Sequence, residues 1–218
     1  MAVRRVLWQD ALRIARYGFS APRKFQRLYV NTDRVRFDGT NAFRESVGGS
    51  ALELPETLFS GDWDQNSRSV QEHATIAVMM RRIQDGLSWQ AAGEYEIVSR
   101  MIDRHGSWDG CSTLGDIEAR CGRLDSVIEQ VRTEWRLRSQ KELAPGSFRE
   151  RGGIGVLVGR DALIHKGWDG SHRLGLALAL KLPFVPVSVQ AVHKLCLEGE
   201  QWENLLEESR KIQQAANQ

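Results

Sequence analysis

The sequence predicts an α+β protein: a small mixed β-sheet with a mainly helical insertion and helical extensions at both ends. Three observations carry this expectation. A β-branched run at 154–158 and another at 185–189 flank a Leu- and Ala-rich segment, the order strand, helix, strand. Residues 69–140 contain no proline and place apolar residues at three- and four-residue steps, the helical period. Both ends of the chain read as amphipathic helices.

Length and composition set the bounds. The 218 residues suit one domain, or one domain carrying a large insertion. Apolar residues at 41% and charged residues at 27% are ordinary for a globular protein that buries its own core. A formal charge of +2 excludes a polycation. The charge is unevenly placed, however. Residues 1–36 hold Arg4, Arg5, Arg13, Arg16, Arg23, Lys24, Arg27, Arg34 and Arg36 against Asp10 and Asp33, whereas residues 198–218 are acidic. A basic head fits a polyanion, either nucleic acid or an anionic membrane surface; it also fits a merely solvated helix face. Cys111, Cys121 and Cys196 form no CxxC pair or zinc-spaced cluster, which argues against a structural metal and fits a reducing cytosol. No apolar run is long enough to span a membrane, and charges interrupt the N-terminal segment. No transmembrane segment and a cytoplasmic location are therefore expected.

The elements follow in order. Residues 1–26 form a basic N-terminal segment whose helix, 2–18, has an apolar line of Val3, Leu7, Ala11, Ile14 and Gly18. Residues 27–68 carry a first strand over 27–37. A Gly-, Asn- and Ser-rich loop over 38–61 then ends in Gly61-Asp62-Trp63-Asp64. Residues 69–145 form the helical insertion. Helices are expected at 69–84, after a Ser88 cap, and at 116–135 with Ile117, Leu124, Val127, Ile128 and Val131 facing inward. Pro145-Gly146 marks a boundary. Residues 146–197 are the core motif: strand 154–158, a turn, return strand 163–165, helix 174–182, a Pro183 stop and strand 185–189. Residues 198–218 form an acidic helix with Trp202, Leu205 and Leu206, expected to dock loosely.

Within the core motif, Asp169-Gly170-Ser171-His172-Arg173 sits at a helix N-terminus. Free backbone N–H groups and the positive end of the helix dipole favour a phosphate there. Gly170 permits close approach, Ser171 caps and donates, and Arg173 presents forked donors. His172 donates a hydrogen bond or carries a proton. Asp169 needs a metal between itself and a phosphate, or else handles a substrate proton. The same five residues equally describe a well-capped helix that binds nothing.

The stretch 154–193 resembles the ParB/sulfiredoxin-like superfamily through three pieces: Gly170-Ser171-His172-Arg173, the small-residue helix after it, and Val185-Pro186-Val187-Ser188-Val189. Residues 29–35 resemble, weakly, that family's first strand. The strong part covers about 45 of the 218 residues. The resemblance implies a turn that holds nucleoside triphosphate phosphates, with Gly170, Ser171, His172 and Arg173 as ligands. It also places Asp169 where the free-serine-kinase-like members carry an acidic residue. Position 171 is Ser, whereas sulfiredoxin needs a cysteine in this turn, so sulfinic acid reduction is not expected. Too few residues follow the motif for the DNA-binding region and dimerisation tail of a full partition protein.

Outside the motif, Asp62 and Asp64 flank Trp63. Two such carboxylates can share Mg²⁺ or supply a base, and Trp63 can stack on a nucleobase; alternatively Trp63 is a buried anchor and the aspartates cap a turn. His165, nearest the motif, can line a site. The leading expectation is a nucleoside-triphosphate-binding protein, using ATP or another NTP with Mg²⁺. It would transfer a phosphoryl group to a small hydroxylated metabolite. Asp169, Asp62, Asp64 and His172 are the candidate catalytic groups, and Asp62 and Asp64 the metal ligands. The alternative is a nucleotide-responsive, DNA- or RNA-associated ParB-like module, binding or nuclease-like, without metabolite turnover.

Overall fold

A computed structural model describes residues 3–216; residues 1, 2, 217 and 218, the outer ends of both expected terminal helices, lie outside the described residues. In chain order the elements begin with α1 (Val3–Tyr17), β1 (Arg27–Asn31), β2 (Val35–Asp38), α2 (Thr40–Val47), β3 (Leu58–Phe59) and β4 (Arg68–Ser69). Then come α3 (Ala74–Gln84), α4 (Trp89–Ala92), α5 (Glu94–His105), α6 (Leu114–Glu134) and α7 (Gln140–Leu143). The chain closes with β5 (Ile154–Val158), β6 (Ile164–Lys166), α8 (Ser171–Leu180), β7 (Phe184–His193), α9 (Leu195–Glu198) and α10 (Gln201–Ala216). It is a mixed α+β fold made of two compact units. One runs through Val70, resumes over Arg138–Gly170 and again from Pro183; the other comprises Gln71–Leu137 and Ser171–Leu182.

The first unit is built on an open sheet of seven strands in the order β1-β7-β5-β6-β2-β4, with β3 also paired to β7. β5 runs parallel to β7, and β2 parallel to β6, while β1/β7, β5/β6 and β2/β4 are antiparallel. Every residue of β5 and β6 is buried, so the middle of the sheet is covered on both faces. That is why β5 reads as a continuous apolar run rather than an alternation. On the β1 edge, Tyr29 N–H donates to Ser209 Oγ of α10 at 2.8 Å, which occupies a backbone donor that an open edge would expose. Trp202 of α10 is fully buried and donates Nε1–H to the Ser20 carbonyl at 2.7 Å. The terminal helix is therefore firmly seated, not loosely docked.

Other expectations are corrected as well. The segment 27–37 is two strands, because a 3-10 turn at Thr32–Arg34 sends β1 to β7 and β2 to β6. The loop over 38–61 contains α2, which ends at Gly48 in the left-handed conformation and buries Phe43. The helix face of α1 is reversed. Val6, Asp10 and Arg13 face inward, whereas Val3, Leu7 and Ala11 are exposed. Asp10 decides this: it accepts from Arg13 and Arg149 and from the Lys24 backbone N–H. A buried carboxylate with three donors fixes rotation more strongly than a few apolar contacts.

The helical unit packs α3 against α8. A Cβ on Gly175 would lie 2.7 Å from Met79 Cβ, so the helices meet where α8 has no side chain. Ile76, Val78, Met79, Leu174 and Ala177 are buried. The expected second helix is divided at Gly93 (φ +99°) into α4 and α5, with Ser88 capping α4 as anticipated. A reciprocal cap between Thr113 and Asp116 starts α6 earlier than expected. Val127 of α6 is exposed rather than inward.

Lys24 ties the first unit together. It is fully buried, and its Nζ donates to the carbonyls of Ala51, Glu56 and Gln190 at 2.5, 2.8 and 2.7 Å. Lys24→Ala leaves three acceptors without their donor and should cost about 3 kcal/mol, at about 1 kcal/mol each, in urea denaturation. A loss below about 1 kcal/mol would show that water replaces the ammonium at no penalty.

Candidate functional site

The turn between β6 and α8 is clamped by backbone and one amide side chain. Gln190 of β7 accepts from Trp168 N–H at 2.8 Å and donates Nε2–H to the Trp168 carbonyl at 2.8 Å. Gly167 N–H donates to the Gly155 carbonyl at 2.8 Å. A Cβ on Gly155 would stand 1.8 Å from the Trp168 oxygen, and one on Gly170 (φ +69°) would stand 2.6 Å from Ile154 Cα. Glycine is obligatory at both positions on steric grounds alone, and the glycine of the tract is used for packing on β5.

The clamped turn follows directly from Lys166, the last residue of β6, which is buried and hydrogen-bonds the Gly167 carbonyl at 2.6 Å. Burial pushes its ammonium down to about 8, while Asp38, opposite it on β2, and Asp169 pull the other way. Burial pushes the Asp38 carboxyl up, but hydrogen bonds from Thr40 and Arg68, with the Lys166 charge, outweigh it and hold Asp38 below the usual range. Asp169 behaves oppositely. Although the residue is exposed overall, partial burial of its carboxyl raises its pKa against the pull of Lys166 and Arg151. It also takes the left-handed conformation, φ +65°. Lys166 and Asp38 end the parallel strands β6 and β2, the edge where open sheets with parallel strands commonly bind ligands.

A cleft of about 690 Å³ opens beside Asp38 and Arg68, with Asn41, Asp62 and Trp63 among its walls. The loop over 61–64 thus reaches the same edge of the sheet. Its parts have separate fates. The Trp63 ring is buried, 5.4 Å from Phe43 and 5.8 Å from His193 between ring centres, so it anchors the loop and cannot stack on a base. The Asp64 side chain is 2% exposed and bound by Arg160 through the backbone N–H, Nε and Nη2 at 2.7 to 3.2 Å. Burial raises the Asp64 pKa, but the Arg160 contacts win and it lies low. The Asp62 side chain is 82% exposed and 2.8 Å from the same guanidinium. Arg160 therefore stands between the two carboxylates, where a shared Mg²⁺ was expected. Among the described residues no cluster of three or more His, Cys, Asp or Glu could hold a metal ion. His165 is buried, shares a 2.9 Å hydrogen bond between Nδ1 and Ser67 Oγ, and is held neutral by burial.

The tract 169–173 is divided between the units. Asp169 and Gly170 belong to the sheet; Ser171, His172 and Arg173 form the first turn of α8 in the helical unit. There His172 Nε2 lies 2.9 Å from Glu94 Oε1 of α5. Arg120 of α6 donates to Glu94 at 2.5 Å and to Asp109 at 2.7 and 3.0 Å. Burial raises the Glu94 pKa, yet His172 and Arg120 outweigh it and hold the carboxyl low. The protein's own carboxylate thus engages the imidazole expected to face a phosphate. Asp38, Lys166, Arg68, Arg160 and Glu94 were not anticipated from sequence. Only Lys166 left a sign, as a charge at the end of a short strand just before the Gly167 turn.

Compared with models of protein families, with curated proteins and with solved structures, the chain matches none. No helix among the described residues is long and apolar enough to cross a membrane.

The Glu94 network generates a pH prediction. Its folded pKa lies below the ordinary 4.5. The stabilisation is therefore complete above about pH 5 and is lost as pH falls through the depressed value. Glu94→Gln should cost about 2 kcal/mol at neutral pH and flatten the acid limb of a melting-temperature-against-pH curve. An unchanged acid limb would remove Glu94 from the acid response.

Proposed function

We propose that this protein binds a nucleoside triphosphate, such as ATP, at the turn ending in Gly170 and transfers a phosphoryl group to a small hydroxylated metabolite in the Asp38–Asp62–Arg68 cleft. The observation that carries this reading is the buried Lys166 flanked by Asp38 and Asp169 at the ends of two parallel strands. Oppositely shifted titratable groups beside a cleft mark acid–base sites. Support for a ParB/sulfiredoxin-like sheet comes from the order β5, β6, turn, α8, β7 around the Gly170-Ser171-His172-Arg173 tract. A nucleotide-using enzyme of this kind works in the cytoplasm.

The chemistry follows from the charges. The positive field of Lys166, Arg68 and Arg151 offsets the triphosphate charge at the turn ending in Gly170. Asp62 orients the acceptor hydroxyl. Asp169, whose raised pKa makes it the better base, takes the hydroxyl proton as the new oxygen–phosphorus bond forms. The bond from the γ-phosphorus to the bridging oxygen breaks, and the nucleoside diphosphate leaves. Mg²⁺ would enter with the triphosphate, since Arg160 already offsets one of the two charges of Asp62 and Asp64. His172 takes no part in this scheme, because Glu94 and Arg120 hold it.

Nucleotide at about one hundred times its Kd should stabilise the protein by about 2.7 kcal/mol in a thermal-shift titration. Asp169→Asn should keep that stabilisation and lose about 10²- to 10⁴-fold in phosphoryl transfer to a hydroxylated acceptor. No shift with any of Mg·ATP, Mg·CTP or Mg·GTP would contradict the reading.

A further inference from the structure

Helix α1 is amphipathic in the wrong direction for a packed helix. Its inward face carries Asp10 and Arg13, held by Arg149, the Lys24 backbone and the Pro22 carbonyl. Its outward face is mostly apolar, interrupted by Arg4. At about 100° per residue, Val3, Leu7, Ala11, Ala15, Trp8 and Leu12 fall within one half of the helix circumference. Leu7 is 47% exposed, Trp8 65% and Leu12 49%, and Phe19 just beyond the helix is 86% exposed. Single exposed apolar side chains are ordinary, but a contiguous row holding a tryptophan is not.

We infer that this face docks α1 in the plane of an anionic lipid surface, an association separate from the phosphoryl-transfer reading. Charge selects the occupant. Arg4 lies within the arc and Arg5 and Arg16 border it, and none of the three pairs with a carboxylate among the described residues. Phe19 also lies on the wall of a cleft of about 510 Å³ that presents Arg23, Arg27, Arg149 and Arg210 against a single carboxylate, Glu150. An apolar arc with two arginines at its border, and one within it whose long stem can carry its charge up to the headgroups, matches interfacial helices. A second copy of the same face would set these arginines against one another. A nucleic acid backbone would find no use for Leu7, Trp8 and Leu12.

The full chain should co-sediment with phosphatidylcholine vesicles carrying about one-third phosphatidylglycerol, and not with phosphatidylcholine alone. Leu12→Asp and Trp8→Ala should each weaken partitioning by about tenfold, and Arg5→Glu should weaken it in a salt-dependent way. All three lie on the exposed face, so the melting temperature and the nucleotide response should stay as in the wild type. Three results would overturn the inference. One is no sedimentation with anionic vesicles at low salt. Another is a dimer in solution that Leu12→Asp dissociates, without vesicle binding. The third is duplex DNA binding that Arg5→Glu abolishes and Leu12→Asp leaves intact, again without vesicle binding.

Discussion

The Trp168 carbonyl points into space that a methyl group on Gly155 would have to share. That steric fact organises the functional edge of the sheet. With no side chain at position 155, the turn after β6 lies flat on β5, and the Gln190 amide can close on both polar atoms of the Trp168 backbone. With no side chain at 170, the chain leaves the turn pressed against the first residue of β5. Asp169 is caught between these fixed points and accepts a left-handed backbone, which costs an Asp less than most residues. Lys166 enters the turn from a strand buried on both faces, so its ammonium has no route to bulk water. Its proximity to Asp38 and Asp169 is thus imposed by packing.

The carboxylates of this protein have been sorted by their cations. Asp38 is held by Arg68, Asp64 by Arg160 and Glu94 by Arg120, and all three are driven low despite burial. Arg68 and Arg160 each grip their carboxylate with two nitrogens, while His172 and Arg120 give Glu94 one contact each, and these contacts outweigh desolvation. Asp169 has no such grip. Only longer-range charge from Lys166 and Arg151 acts on it, and burial prevails. A carboxylate left less satisfied than its neighbours is the one with basicity to spare, which is why the proposed chemistry centres on it rather than on the paired aspartates of the 61–64 loop.

Part of this was legible in the sequence. The run from β5 to β7 could be read because its signals are local: β-branched runs, a proline stop and glycines at turns. Helix α2 was hidden by Asn41, Gly48, Gly49 and Ser50, residues that announce a loop, although Phe43 and Val47 sit at helical spacing. The helical period of α1 was correct and its rotation was not, because rotation is set by Asp10 meeting Arg149, far away in sequence. The fate of His172 depends on Glu94, 78 positions earlier, and no periodicity reports such a meeting. Asp62 and Asp64 looked like a matched pair until Arg160 arrived from the β5–β6 turn. In each case the local element was readable and its long-range electrostatic partner was not.

If the clamped turn binds phosphate, nucleotide must perturb the turn's own amides first. Amide-resolved NMR during an ATP titration tests it most directly, in the wild type and in Gln190→Ala. Shifts should concentrate at residues 166–171 in the wild type and be much reduced in the variant, while the β5 and β7 amides stay protected from exchange. Shifts confined to other parts of the chain, or identical shifts with the Gln190 clasp removed, would contradict it.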